Sequence, residues 1–201
     1  MMEKTGYSKT AVKILEASLP LFAAHGYNGV AMRDIANTVG ITAAALYNHF
    51  PGKETLYLRA LEYAFADKVT NFADALAAAE GLHGRLNCMI GFWVETLAGD
   101  VVLRSLLQRE MSDADEQRLQ LLLDRLFASV YLSSRDTLLA LAGGRLDAHM
   151  LFFTILGMVL SHFQLAPIRR RLPGSLPAHE EVDVITRHLV TLLRDGVTTT
   201  P

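Results

Sequence analysis

The sequence predicts an all-α protein with a three-helix N-terminal head and a larger C-terminal helical body. Of its 201 residues, 51% are hydrophobic, enough for a sizeable core and too many for a disordered chain. Leucine and alanine dominate, and the alternation typical of β-strands is scarce. Helical spacing recurs between breaks rich in glycine, proline, serine or aspartate, which predicts about nine helices.

The head contains three short helical patterns. The first covers residues 10–25. The second has apolar residues at i, i+3, i+4 and i+7 from Met32 and ends at a glycine. The third covers residues 43–50, where the hydroxyl of Thr42 can cap the helix and Pro51-Gly52 ends it.

The body continues the helical pattern to the C-terminal end. The predicted helices are residues 53–79, 82–98, 101–111, 115–142, 146–165 and 179–195. A loop follows at 167–177, and its run Arg169–Arg171 is either a solvated loop or a second nucleic-acid patch. We expect a head at 8–66, with a helix-turn-helix near 31–50, and a ligand-binding and dimerisation body at 67–201.

Composition excludes several classes of protein. The formal net charge is −2, divided into +2 over residues 1–60 and −4 over 61–201, a weak sign of a basic head. Cys88 is the only cysteine, and the seven histidines lack metal-binding spacing, so neither a metal nor another cofactor is expected. The sequence shows no signal peptide and no apolar run of about 20 residues, which predicts a cytoplasmic protein without a membrane partner.

The short third helix is bare on its outer side. Two short helices joined by Gly40-Ile41-Thr42 have the proportions of a helix-turn-helix, whose second helix enters the DNA major groove. That groove, about 12 Å wide, accepts a helix whose leading face protrudes little, and alanines meet this requirement. Leu46 and Phe50 are predicted to face inward and fix the angle of the helix.

The segment NGVAMRDIANTVGITAAALYNHFPGKETLY, residues 28–57, resembles the DNA-binding head of the tetracycline-repressor (TetR) family of bacterial regulators. Its Arg-Asp-Ile-Ala, Val-Gly-Ile-Thr and Leu-Tyr-Asn-His-Phe blocks have that family's order and spacing. The resemblance implies a homodimeric repressor that binds a palindromic operator in double-stranded DNA. A small molecule bound in the body would spread the two heads and release the DNA.

Carried onto this sequence, the resemblance implies two sets of DNA contacts. Phosphate contacts fall to Arg33, Tyr47, His49 and Lys53. Base-edge contacts fall to Thr42, Ala43, Ala44, Ala45 and Asn48.

Two residues depart from the family pattern. Ala31 stands where a Ser or Thr usually caps the second helix, which loses about 0.5–2 kcal/mol of capping. Ala43 stands where a polar residue is common, so we expect specificity to depend on methyl contacts, Asn48 and DNA shape.

The effector and dimer sites are predicted less directly. Aromatic and apolar stripes are either plain core or the lining of a pocket, and the resemblance favours a pocket for an apolar or aromatic effector. Its predicted lining is Met89, Phe92, Trp93, Thr96, Arg109, Phe127, Tyr131, His149 and Phe153. The last two long helices carry apolar and small residues suited to a four-helix dimer interface. The predicted interface residues are Phe153, Gly157, Met158, Ser161, Ile185, Leu189 and Leu192.

The sequence thus favours a ligand-responsive DNA-binding regulator that is not an enzyme. One alternative is a DNA-binding regulator without small-molecule control. Another is a helical enzyme or binding protein in which the head is an ordinary three-helix module, with Tyr47 and His49 only packing or facing solvent.

Overall fold

The computed structural model describes residues 6–113 and 115–198. Within these ranges the chain forms eleven α-helices, one π-helical segment and one 3₁₀ turn, and it contains no strand, which confirms the all-α prediction. The helices are α1 (Lys9–His25), α2 (Met32–Val39), α3 (Ala43–His49), α4 (Lys53–Ala78), α5 (Gly81–Gly99), α6 (Val101–Asp113), α7 (Glu116–Leu122), α8 (Ala128–Ala142), α9 (Ala148–Gln164), α10 (Ala166–Arg169) and α11 (Val182–Thr198).

The helices group into two compact units. The first contains the chain up to Asp67 together with Val101–Leu126, and the second contains Lys68–Asp100 and the chain from Phe127 onward. Helices α6 and α7 therefore pack with the head, although the sequence assigns them to the body. The predicted domains at 8–66 and 67–201 remain a prediction.

The first unit is built around the N-terminal helices. Helix α1 packs against α2 and α6, and α2 packs against α3. Ile14, Leu15, Phe22 and Ile35 are fully buried in its core. Burial of side chains this large stabilises the unit by about 1.5–3 kcal/mol each, which holds the short helices in place.

The second unit is built around α5. This helix packs against α8, α9 and α11. Ile185 and Leu189 of α11, predicted at the dimer interface, are instead buried in the protomer, with 3% and 7% of their surfaces exposed. The apolar stripe of α11 covers its own core because α5 lies against it, and the dimer-interface role of these two residues stays a prediction.

Two predicted segments differ from the structure. The segment predicted as one helix over 115–142 is helical from residue 116 onward, but the π-helical segment Leu123–Phe127 lies between α7 and α8. A π-turn inserts one residue into an otherwise continuous helical pattern, which apolar spacing does not reveal. The segment predicted as a loop over 167–177 contains most of α10 and leads into the 3₁₀ turn Pro177–Glu180.

The arginine run in that loop is used locally. Arg169 and Arg170 both form ion pairs with Glu180, each with a nitrogen–oxygen distance of 2.8 Å. Arg170, followed by Arg169, lowers the pKa of the Glu180 carboxyl to about 2. The run therefore ties the loop to the turn before α11.

Across the described residues, no single helix has both the length and the apolar character needed to cross a membrane. Helices α5 and α6 reach that length and composition only when they are taken together.

Candidate nucleic-acid interface

Helix α2 begins at Ala31, which has no side chain able to cap it. The carboxylate of Asp34 accepts a hydrogen bond from the Ala31 N–H at 3.1 Å. This is the reciprocal half of a capping box, in which an acid at the third helical position bonds the N-cap amide. Helix α2 therefore lacks a side-chain hydroxyl cap, as predicted, but the Ala31 N–H still has a hydrogen-bond acceptor in Asp34.

The turn between α2 and α3 depends on Gly40. Its φ of 77° and ψ of 34° lie in the left-handed region, which suits glycine. The Ile41 N–H donates to the Ala36 carbonyl at 3.0 Å and closes the turn. The Thr42 hydroxyl then accepts from the Ala45 N–H at 3.2 Å, as predicted, and starts α3.

Helix α3 has one buried side and one open side. Leu46 and Phe50 are 0% and 3% exposed, which confirms their predicted inward orientation. On the other side Tyr47 is 50% exposed. The remaining predicted base and phosphate contacts on this segment are also accessible, either exposed (Thr42, Ala44, Asn48, His49) or half-buried (Ala43, Ala45).

Lys53 uses two of its hydrogen-bond donors within the head itself. Its ammonium donates to the carbonyls of Tyr27 and Val30 at 2.9 and 3.0 Å and lies 4.5 Å from the centre of the Tyr27 ring. Since an ammonium has three donors, one remains for a phosphate. Arg33, at the start of α2, is exposed.

The turn that Lys53 holds is tightly built. A Cβ on Gly29 would lie 2.3 Å from the His25 carbonyl oxygen, so only glycine fits there. The chain thus reaches α2 through a turn fixed by a close backbone approach and by the Lys53 hydrogen bonds.

A buried polar network supports the same turn, and no pattern in the sequence indicates it. The Tyr57 hydroxyl donates to Glu110 at 2.7 Å, and the Arg118 guanidinium donates to the other Glu110 oxygen at 3.1 Å. Arg118 also lies 4.5 Å from the centre of the Tyr27 ring. Burial, reinforced by Glu110, raises the pKa of Tyr57, so its hydroxyl stays a donor.

Arg109, which was predicted to contact the effector, forms hydrogen bonds within the first unit. Its guanidinium donates to the carbonyls of Ala23 and Ala24 at 2.8 and 2.7 Å. These carbonyls belong to the last turn of α1, where backbone acceptors lack helical partners. Arg109 thus caps α1.

The second unit contains a cleft of about 910 Å³ lined by α4, α5 and α11. Phe92 and Thr96 line it, whereas the other predicted effector contacts do not. Trp93 stacks on Phe127 with ring centroids 5.9 Å apart. The remaining aromatic residues meet on α8 and α9, where His149 contacts both Tyr131 and Phe153 at centroid distances of 5.7 and 4.9 Å.

Comparison with known proteins identifies the head. Residues 14–60 match the family described as bacterial regulatory proteins, tetR family. Over this segment, the chain is similar to that family of regulatory proteins.

The curated relatives match part of the chain. The chain is 38% identical over 53 residues to the biofilm operon icaADBC HTH-type negative transcriptional regulator IcaR of Staphylococcus epidermidis. The aligned segment covers 26% of this chain and 29% of that relative. The chain therefore spans less than a third of the length of that relative.

Solved structures extend the likeness to most of the chain. The transcriptional regulator FadR from Bacillus subtilis in complex with stearoyl-CoA has a TM-score of 0.75 and 16% identity, over 92% of this chain and 98% of that one. The ketosteroid transcriptional regulator KstR2 of Mycobacterium tuberculosis has a TM-score of 0.70 and 20% identity, over 96% and 97%. At these identities the likeness shows the fold.

Proposed function

We propose that this protein is a transcriptional repressor that binds a palindromic DNA operator as a homodimer and is released by a small-molecule effector. The observation that carries the proposal is the open face of α3, which presents Ala44, Tyr47 and Asn48 while Leu46 anchors the helix beneath. A rigid helix with a small-residue face suits insertion into the major groove.

Phosphate contacts position the head in this proposal. Arg33, Tyr47 and His49 are exposed and supply donors to phosphate oxygens. Lys53 contributes its one remaining donor and, through Tyr27 and Val30, holds the turn that precedes α2.

Sequence readout by α3 combines few hydrogen bonds with methyl contacts. Asn48 can bond an adenine edge in two places, and the alanine methyls can contact thymine methyls. The Thr42 hydroxyl oxygen accepts a hydrogen bond from the Ala45 N–H. Its main role is therefore to cap the helix. Specificity then depends in addition on the shape of the operator.

Dimerisation is proposed through the exposed face of α9. Met150 and Phe153 are exposed, and Gly157 follows one turn later on the same face. Phe153 is held by edge contacts with His149 and Phe152, so less side-chain freedom is lost on binding. Leu192 of α11 is also exposed, and Met158 and Ser161 are half-buried.

Control by an effector is proposed from two supports. The second unit contains a cleft large enough for a drug-sized molecule. The FadR of similar fold is described in complex with stearoyl-CoA, which shows that this fold can hold an organic ligand.

The test is a fluorescence-anisotropy titration of the full chain on an operator selected from a random duplex library. We expect binding to weaken steeply between about 50 and 200 mM salt, because phosphate contacts release counterions. Arg33→Ala should reduce the slope of log K against log salt by about 0.9.

The matched control is Arg135→Ala, which removes an exposed arginine of α8 in the second unit and should leave the slope unchanged. Failure to select any duplex, or an equal effect of both variants, contradicts the proposal.

A further inference from the structure

The cleft of the second unit contains a buried hydroxyl without a partner. Thr186 of α11 lines the cleft and is 6% exposed, yet its hydroxyl has no hydrogen-bond partner among the described residues. Buried hydroxyls are usually bonded, and a threonine in a helix commonly bonds a carbonyl one turn earlier. A donor and acceptor without a partner is therefore buried in the wall of this cleft.

The buried residues that line the cleft with Thr186 are small or aromatic, whereas the more open lining is partly polar and includes Asn71, His83 and Asn87. Phe72 and Phe92 line the cleft with ring centroids 4.5 Å apart. Gly91 adds open space, since a Cβ placed there would meet only the Thr186 methyl, at 3.8 Å. Flat or ring-shaped apolar groups pack well against such a wall.

The buried part of the cleft carries no formal charge. Burial, followed by the charge of Glu95, raises the pKa of Cys88, so this thiol stays neutral. The charged lining residues are more open and of both signs: Lys68, Glu95, Asp183 and Arg187. A charged group placed beside Thr186 would lose hydration there, and a neutral hydroxyl does not replace a counter-ion.

We propose that the cleft binds an uncharged, ring-containing alcohol or ketone whose oxygen hydrogen-bonds to the Thr186 hydroxyl. The proposal names the chemical class of the effector and rests on the proposed function for its regulatory meaning. The rings of the ligand lie against Phe72 and Phe92, and any charged substituent stays at the rim.

The test is calorimetric titration of the full chain with 2-naphthol, naphthalene and 2-naphthoate. These probes share one ring system and differ in carrying a hydroxyl, no polar group or a carboxylate. We expect 2-naphthol to bind the tightest, about fivefold tighter than naphthalene, the size of one net hydrogen bond. The carboxylate should bind the most weakly.

Three variants distinguish the contribution of the Thr186 hydroxyl to binding from the contribution of the space around it. Thr186→Val keeps the shape and should bring 2-naphthol down to the affinity of naphthalene, whereas Thr186→Ser should keep the preference. Thr186→Val should not lower the thermal midpoint, because the lost hydroxyl has no partner. Gly91→Ala should weaken all three probes while raising the midpoint, since alanine favours the helix.

The proposal is overturned if 2-naphthol does not bind, if Thr186→Val keeps its preference, or if 2-naphthoate binds the tightest. These titrations contain no DNA, so they are independent of the anisotropy test. A protein that passes this test but selects no duplex would lose the regulator function and keep the binding site.

Discussion

At the scale of single residues, the first unit contains charged side chains that are buried and hydrogen-bonded to other side chains. Glu110 is 2% exposed and receives hydrogen bonds from Tyr57 and Arg118. A buried carboxylate is tolerated only when it is paired and bonded, so each donor matters. Through Arg118 and Lys53, which both lie against the Tyr27 ring, this network reaches the turn before α2.

Removing one donor of that network should destabilise the protein. Tyr57→Phe leaves a Glu110 oxygen without its partner, and we expect the free energy of unfolding in urea to fall by about 1–3 kcal/mol. Tyr63→Phe is the matched control, because its hydroxyl donates to Glu16 at the exposed surface. That change should stay within about 0.5 kcal/mol. Equal losses in the two variants would contradict the network's role.

At the scale of elements, α3 is a helix of seven residues that depends on its ends. Helices this short are marginal in isolation, so the cap from Thr42 and the anchoring of Leu46 and Phe50 decide whether it forms. The N–H of Phe50 also donates to the Leu46 carbonyl at 2.9 Å and closes the last turn. The open face of α3 is therefore held from both ends.

The cap should be measurable in stability and in DNA binding. Thr42→Ala removes the acceptor of the Ala45 N–H, and we expect a loss of about 0.5–2 kcal/mol in unfolding free energy with weaker operator binding. Thr42→Ser should keep both values, since serine caps equally well.

Thr38→Ala tests whether loss of any threonine hydroxyl near the turn has the same effect. The Thr38 hydroxyl only donates to the Asp34 carbonyl within α2. If this variant weakened operator binding as much as Thr42→Ala, the role of the cap would be refuted. Urea denaturation and anisotropy on the selected operator give the two readouts.

At the scale of the whole molecule, assembly decides which exposed apolar residues have a function. The face of α9 that carries Met150, Phe153 and Gly157 is proposed to pair with the same face of a second copy. A two-fold interface of this kind matches the symmetry of a palindromic operator. In α11, Leu192 remains accessible while Ile185 and Leu189 serve the core of the protomer.

A charge at the centre of this face should separate the copies. We expect light scattering at micromolar concentration to give twice the 22.1 kDa of the chain for the wild type and the single mass for Phe153→Glu. The monomer should lose operator affinity because it reads one half-site. Val101→Glu, an exposed apolar residue of the first unit, should leave the dimer intact. A wild-type protein of single mass would rule out the interface.

The sequence by itself determined the helices of the head, the glycine turn before α3, the Thr42 cap and the inward side of α3. These features depend on residues within one or two turns of each other. The residue types and their spacing are therefore enough to predict them. The same local logic failed at Leu123–Phe127, where a π-turn shifts the helical phase without any distinctive residue.

Only the tertiary structure decided the contacts of Lys53, Tyr57 and Arg109 and the burial of Thr186. The Tyr57 hydroxyl meets a carboxylate 53 residues away, and Arg109 meets a carbonyl 86 residues away. Nothing in the local sequence distinguishes such a side chain from one that faces water, because its partner is supplied by packing between distant helices. The burial of Ile185 and Leu189 was decided in the same way, by α5 lying against α11.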